Sequence, residues 1–143
     1  MALMTWNEHF ETGIPIVDEQ HQWLIDLVNT SAPILAVRSK ANLERAENLL
    51  DQLLQYASFH FETEDALMAR YGIDGRHHRL HLDSHAEFAG QVTRMRETYL
   101  KGDEVNGSSL LSFLANWLIF HILGEDQALA RQIRAINNGL TLT

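Results

Sequence analysis

An all-α fold, an up-down-up-down four-helix bundle with an N-terminal arm, is predicted for this chain by three observations. Apolar residues recur in steps of three and four along four long stretches, the pattern of helices that each turn one stripe to a shared core. Prolines occur only at Pro15 and Pro33, and glycines gather near positions 72–75 and 102–107, between the periodic stretches. No segment alternates polar and apolar residues long enough to read as a strand. Long helices joined by short polar connections pack as antiparallel neighbours.

The elements follow in order. Residues 1–15 contain Trp6 and Phe10 but no helical stripe, and are expected to form an arm laid on a bundle spanning 16–137. The first helix begins after Pro15, with Asp18 as its cap, and carries His21, Leu24, Leu27 and Val28 on one face; Pro33 is expected to kink it or end its regular part. The second starts near Ser39 to Asn42 and runs to about Arg70, with Ala46, Leu49, Leu53, Ala57, His60, Glu64 and Leu67 in line. The third opens after Asp74-Gly75 and aligns His81, His85, Phe88, Val92, Met95 and Tyr99. The fourth follows Asn106-Gly107-Ser108, aligns Leu111, Leu114, Leu118, His121, Leu129, Ile133 and Ile136, and stops near Asn137-Asn138-Gly139.

At 143 residues the chain reads as one domain, 1–143, large enough to build a core without cross-links. It has no cysteine, which excludes disulfides, iron–sulfur clusters and thiolate zinc sites, so any metal must be held by nitrogen and oxygen. A net charge of -8 with both signs interspersed argues against nucleic acid as a partner. The N-terminus shows no basic region followed by an apolar run, and no stretch reaches the ~20 apolar residues of a membrane span. The expectation is a cytoplasmic protein with no membrane insertion.

The informative feature is where the polar residues fall. His21, His60, Glu64, His81, His85 and His121 all occupy positions at which the stripes call for an apolar side chain. Burying such groups without compensation is costly, and one shared metal site compensates them together. His60 and Glu64 are four apart, as are His81 and His85, so each pair projects from one helical face. Imidazole and carboxylate without sulfur suit iron, manganese or zinc. A single such histidine is more often a satisfied core residue, but independent burial does not explain five of them on four stripes. His9, in the arm, and His77 and His78, beside Arg76 and Arg79, read as solvated, although His77 stands four residues before His81 and offers an alternative pairing. On the fourth helix Glu125 shares a face with His121, while Asp126 lies ~140° around. Periodicity alone leaves that choice even.

These residues resemble a known family. Gly13-Ile14-Pro15-Ile16-Val17-Asp18-Glu19-Gln20-His21, His60-Phe61-Glu62-Thr63-Glu64, His81-Leu82-Asp83-Ser84-His85-Ala86-Glu87-Phe88, and Trp117-Leu118-Ile119-Phe120-His121 through Asp126 are similar to the hemerythrins, and most closely to bacterial hemerythrin-like domains. The resemblance covers nearly the whole chain. It implies a non-haem di-iron centre with an oxo or hydroxo bridge that binds dioxygen. By the same resemblance His81, His85 and His121 would hold one iron and His21 and His60 the other, with Glu64 and Asp126 bridging; the family pattern selects Asp126 over Glu125. Leu24, Trp117 and Leu118 would line the oxygen pocket, a role compatible with ordinary core packing.

The expected function is dioxygen binding without catalysis. The reading preferred is an oxygen- or redox-sensing module of a bacterial signalling protein, with a fused output domain such as a chemoreceptor or diguanylate cyclase as partner. That preference rests on the likeness of His121-Ile122-Leu123-Gly124-Glu125-Asp126-Gln127 to signalling members of the family. The alternative is a stand-alone oxygen carrier, store or iron buffer. A ferritin-like oxidase is disfavoured because its E-x-x-H pairs are absent from the sequence.

Overall fold

The computed structural model describes residues 3–37, 39–102 and 107–138. Helix α1 spans Pro15–Ala36, α2 Leu43–Arg70, α3 Gly75–Lys101, α4 Gly107–His121 and α5 Gln127–Asn137. A π-helical turn, Ile122–Asp126, joins α4 to α5 without a break, so the two form the fourth rod of the bundle. Each rod packs on its chain neighbours, and α4 closes the ring against α1. The predicted four-helix bundle is the observed fold. Asn106 and Gly139, expected at the ends of the fourth helix, lie outside the described residues.

Local chemistry departs from expectation at four places. Asp18 does not cap α1. Ile14 occupies the cap position with Pro15 at the start, and Asp18, inside the first turn, accepts from Thr12 N and Thr12 Oγ1 at 2.8 Å each and from Gly13 N at 3.2 Å. Its charge thus sits at the positive helix end while it folds the arm back onto that end. Pro33 does not stop α1, which continues to Ala36; a proline in the last turn removes little of the remaining ladder. Ser39, by contrast, accepts from Asn42 N and starts the short turn that feeds α2. On α2 it is Leu50, rather than Leu49, that is fully buried. The fourth difference concerns length and polarity: Gly107–Asn137 is long and apolar enough to cross a membrane by composition, contrary to the sequence expectation. Leu110, Leu114, Leu118, Ile122, Leu129 and Ile133 from this rod fill the bundle while Phe120 and Leu123 stay exposed, and its middle carries the buried His121 and Asp126.

The arm is pinned rather than loose. Phe10 and Met4 are buried in the main core cluster, and Asn29 pairs through its side-chain amide with both Met4 N and Met4 O at 2.8 Å. From the far rod, Gln127 Nε2 reaches the carbonyls of His9, Phe10 and Glu11, and Arg134 donates to Thr12 O.

The entry to α4 is a close backbone approach. A Cβ on Gly107 would lie 1.6 Å from Leu35 O, the same carbonyl that accepts from Tyr99 Oη at 3.0 Å. Gly107→Ala is therefore expected to destabilise the fold by ~1–3 kcal/mol, the usual cost of overpacking a filled core, read as a lowered midpoint in urea unfolding.

The apolar core is split. One cluster, built around Leu24, Leu53, Phe88, Leu114 and Leu118, fills most of the bundle; a smaller one, Met68, Ile73, Leu129 and Ile133, closes the other end. Along α2 the order is Leu53 and Ala57, then His60 and Glu64, then Met68; along the fourth rod it is Leu118, then His121 and Asp126, then Leu129. A polar layer lies between two apolar ones.

Candidate metal centre

All seven side chains anticipated at the site meet in that layer. His21, His60, Glu64, His81, His85, His121 and Asp126 are each buried. Asp126 Oδ1 lies 3.0 Å from both His81 Nε2 and His121 Nε2, while Oδ2 lies 2.8 Å from His21 Nε2. Its two oxygens thus face opposite halves of the layer. Glu64 Oε1 stands 3.1 Å from His85 Nε2, 3.4 Å from His60 Nε2 and 3.5 Å from His81 and His121 Nε2, and Oε2 is 3.9 Å from His21 Nε2.

The π-turn decides which carboxylate arrives. Its hydrogen bonds run from residue i to i+5 rather than i+4, so residues five apart come onto one side of the rod, as residues four apart do in an α-helix. His121 and Asp126 therefore share the inward face, and the Asp126 side chain is 1% exposed. Glu125 is displaced to the flank, 37% exposed, with Oε2 3.7 Å from His121 Nδ1.

These atoms fit a cation better than they fit one another. His21 Nε2, His60 Nε2, His81 Nε2, both Glu64 oxygens and both Asp126 oxygens are buried without a hydrogen-bond partner. Unpaired buried polar atoms are rare and call for an ion or water. A cation about 2.1 Å from each ligand atom puts neighbouring ligands about 3 Å apart, close to the spacing around Asp126. Two groups of four, Glu64 with His81, His85 and His121, and His21 with His60, Glu64 and Asp126, each have ligand atoms within 4.8 Å of one another and could each hold an ion.

Charge tells the same story. Burial pushes His60 down to about 4, keeping it neutral with a free lone pair. His81 is also disfavoured as a cation by burial, but the Asp126 and Glu64 carboxylates outweigh this and raise it to about 9. Burial disfavours the charged His121 as well, yet it is raised well above its ordinary value, chiefly by Asp126. Burial would raise both Glu64 and Asp126, yet the surrounding imidazoles hold each below its ordinary range. Without a cation, protons on His81 and His121 balance the two carboxylates; a metal replaces them.

An outer layer orients the rings, and sequence reasoning missed most of it. Thr63 Oγ1 donates to Phe59 O, so it must accept from Gln20 Nε2 at 3.1 Å, which turns Gln20 Oε1 toward His60 Nδ1 at 2.7 Å. Because that oxygen only accepts, the His60 proton sits on Nδ1 and Nε2 is left bare toward the centre. Asp65 Oδ1, 3.7 Å from His85 Nδ1, and Glu125, 3.7 Å from His121 Nδ1, stand behind two further rings. His77 does not join the site as a substitute for His81. Its Nε2 lies 3.1 Å from His81 Nδ1, and it and His78 are half-buried on the first turns of α3 rather than solvated. Periodicity identifies residues on a stripe and so placed Glu125 on the His121 face; Gln20 and Asp65 are only chain neighbours of the stripe residues His21 and Glu64, the one signal that pointed to them.

Aromatic rings wall the three-histidine half. Phe61 stacks on His85 at 3.9 Å and Trp117 on His121 at 4.4 Å, with Phe88 4.4 Å from Trp117. Trp117 thus sits behind His121, on the opposite half from His21 and His60, while Leu24 and Leu118 are fully buried in the apolar layer above.

Gln20→Leu is expected to weaken metal binding about 10–100-fold, the usual effect of losing an outer partner. Helix content should be unchanged, and competition against a chelator measures the loss. An unaltered affinity would show that Gln20 does not set the His60 tautomer.

Comparison with known proteins agrees with this architecture. A family model described as the hemerythrin HHE cation binding domain matches residues 12–133. The bacteriohemerythrin of Stenotrophomonas maltophilia (strain R551-3) is 32% identical over 139 residues, covering 94% of this chain and 84% of the relative. That of Methylococcus capsulatus (strain ATCC 33009 / NCIMB 11132 / Bath) is 27% identical over 128 residues, covering 89% and 94%. A crystal structure of wild-type hemerythrin superposes with a TM-score of 0.80 at 28% identity, covering 92% of this chain and 98% of that one. Since the matched region spans nearly all of the four rods and contains every residue of the buried polar layer, this chain belongs to the hemerythrin family.

Proposed function

We propose that the polar layer holds two iron ions and binds dioxygen reversibly, with His81, His85 and His121 on one ion, His21 and His60 on the other, and Glu64 and Asp126 between them. The observation that carries this reading is the split of Asp126: Oδ1 against His81 and His121, Oδ2 against His21. When bound, such a pair supplies the electrons and the open coordination position that dioxygen requires. Two imidazoles converge on the His21 and His60 side against three on the other, which supports the reading that dioxygen would be taken up there.

The chain's own residues do the rest. Phe61, Phe88 and Trp117 hold the His85 and His121 rings in place and keep water from that half. Leu24 and Leu118 bound the layer with apolar surface, which favours an apolar diatomic over an ion. Gln20 keeps His60 in the tautomer that presents Nε2.

The first test is an optical spectrum of anaerobically reduced, iron-quantified protein before and after air. Two irons per chain with a visible band that appears on oxygenation and disappears on deoxygenation is the expected result. Failure to retain iron sinks the reading. For the physiological role we propose oxygen or redox sensing, in which a change at Asp126 moves the π-turn and with it α5. Hydrogen exchange along residues 110–136 should then differ between reduced and oxidised forms; identical exchange points to carriage or storage.

A further inference from the structure

The outer face of the α1–α2 pair carries a feature the metal centre does not use. A cleft of about 310 Å³ is lined by Trp23, Leu27, Gln52, Gln55, Tyr56 and Phe59. Trp23 is 56% and Phe59 53% exposed, a large amount of ring surface to leave in water. The Trp23 and Tyr56 ring centroids are 6.0 Å apart and those of Tyr56 and Phe59 5.8 Å, with planes tilted by 38° and 55°. The rings therefore stand as angled walls rather than collapsing into a flat stack.

The six residues that line the cleft carry no charge. Among the described residues no lysine or arginine lines the cleft. Glu19, one helical turn before Trp23, is near enough that its charge, after burial, contributes to raising the Tyr56 hydroxyl above its ordinary value. The chain as a whole carries -8. Aromatic faces with a nearby carboxylate and uncharged amides attract a soft cation with little hydration to lose.

We propose that this cleft is a binding site for a small methylated ammonium compound, held between Trp23, Tyr56 and Phe59 with Glu19 as counter-charge. The cleft is small for a helix or peptide, and its rings suit a compact cation better than an aliphatic chain.

The test is ligand-observed NMR on the N-methyl protons of choline, titrated against the intact metal-loaded protein at constant ionic strength. Saturable binding is expected, lost in Trp23→Ala and in Phe59→Ala, and weakened roughly two- to five-fold in Glu19→Gln. All three variants should keep wild-type helicity and metal content, since none of these residues belongs to the buried layer. The uncharged carbon isostere of choline should bind far more weakly. Equal binding of that isostere would overturn the proposal in favour of an unselective apolar cleft. Choline binding that survives both aromatic substitutions, or none in the wild type, would also overturn it.

Discussion

Asp126→Ala should abolish retention of the metal pair, whereas the neighbouring Glu125→Ala should leave it in place. Asp126 brings one oxygen to His81 and His121 and the other to His21, so no other side chain can substitute for it from the fourth rod. Its loss is expected to cost more than the ~100-fold that marks the upper range for an outer partner. Glu125 stands at 3.7 Å from the outward nitrogen of His121 and is held below its ordinary range by that imidazole despite burial. Removing it should change affinity by about tenfold at most. Metal content per chain after gel filtration separates the two variants. If Glu125→Ala loses as much metal as Asp126→Ala, the π-turn does not select the ligand as its geometry indicates.

The second large effect is on stability when metal is removed. His81 is raised to about 9 in the folded protein from an ordinary 6.5, so the native state binds the extra proton between those values. That stabilisation is complete below about pH 6.5 and disappears as pH rises through 9, a change of about 3 kcal/mol. His60 acts on the opposite side. Its value of about 4 means that the unfolded chain binds the extra proton between 4 and 6.5, so stability falls by a similar amount as pH drops through that window. Metal-free protein should therefore be most stable near pH 6.5 and lose stability on both sides. With metal bound, His81 is already neutral and the alkaline loss should vanish. Urea unfolding of both forms from pH 5 to 9 checks this; an alkaline limb that persists in the metal-loaded protein would show that His81 keeps its proton and is not a ligand.

The mixture of legible and illegible features has a physical basis. Helix periodicity is local, so the stripes that place His21, His60, Glu64, His81, His85 and His121 inside the bundle could be read from spacing. The absence of sulfur limited the ligand chemistry, and the order of the histidines and carboxylates along the chain carried the family resemblance. Asp126 could not be chosen over Glu125 by an α-helical count, because the choice depends on one added residue per turn over Ile122–Asp126, and a uniform 3.6-residue period cannot represent that. That Asp18 ties down the arm instead of capping α1, and that α1 runs on past Pro33 to Ala36, have a related reason: a cap or an end depends on what lies opposite, here the folded-back arm and a nearly finished helix.

By itself, then, the sequence determined the four rods, the apolar stripes and the polar positions within them, since each follows from residues within a few turns of one another. Only the tertiary structure decided which nitrogens and oxygens converge, that Gln20 presents its oxygen to His60 from the adjacent helix, and that Trp117 backs His121. Those relations join residues on different helices, and nothing in a one-dimensional spacing specifies which faces of separate helices meet.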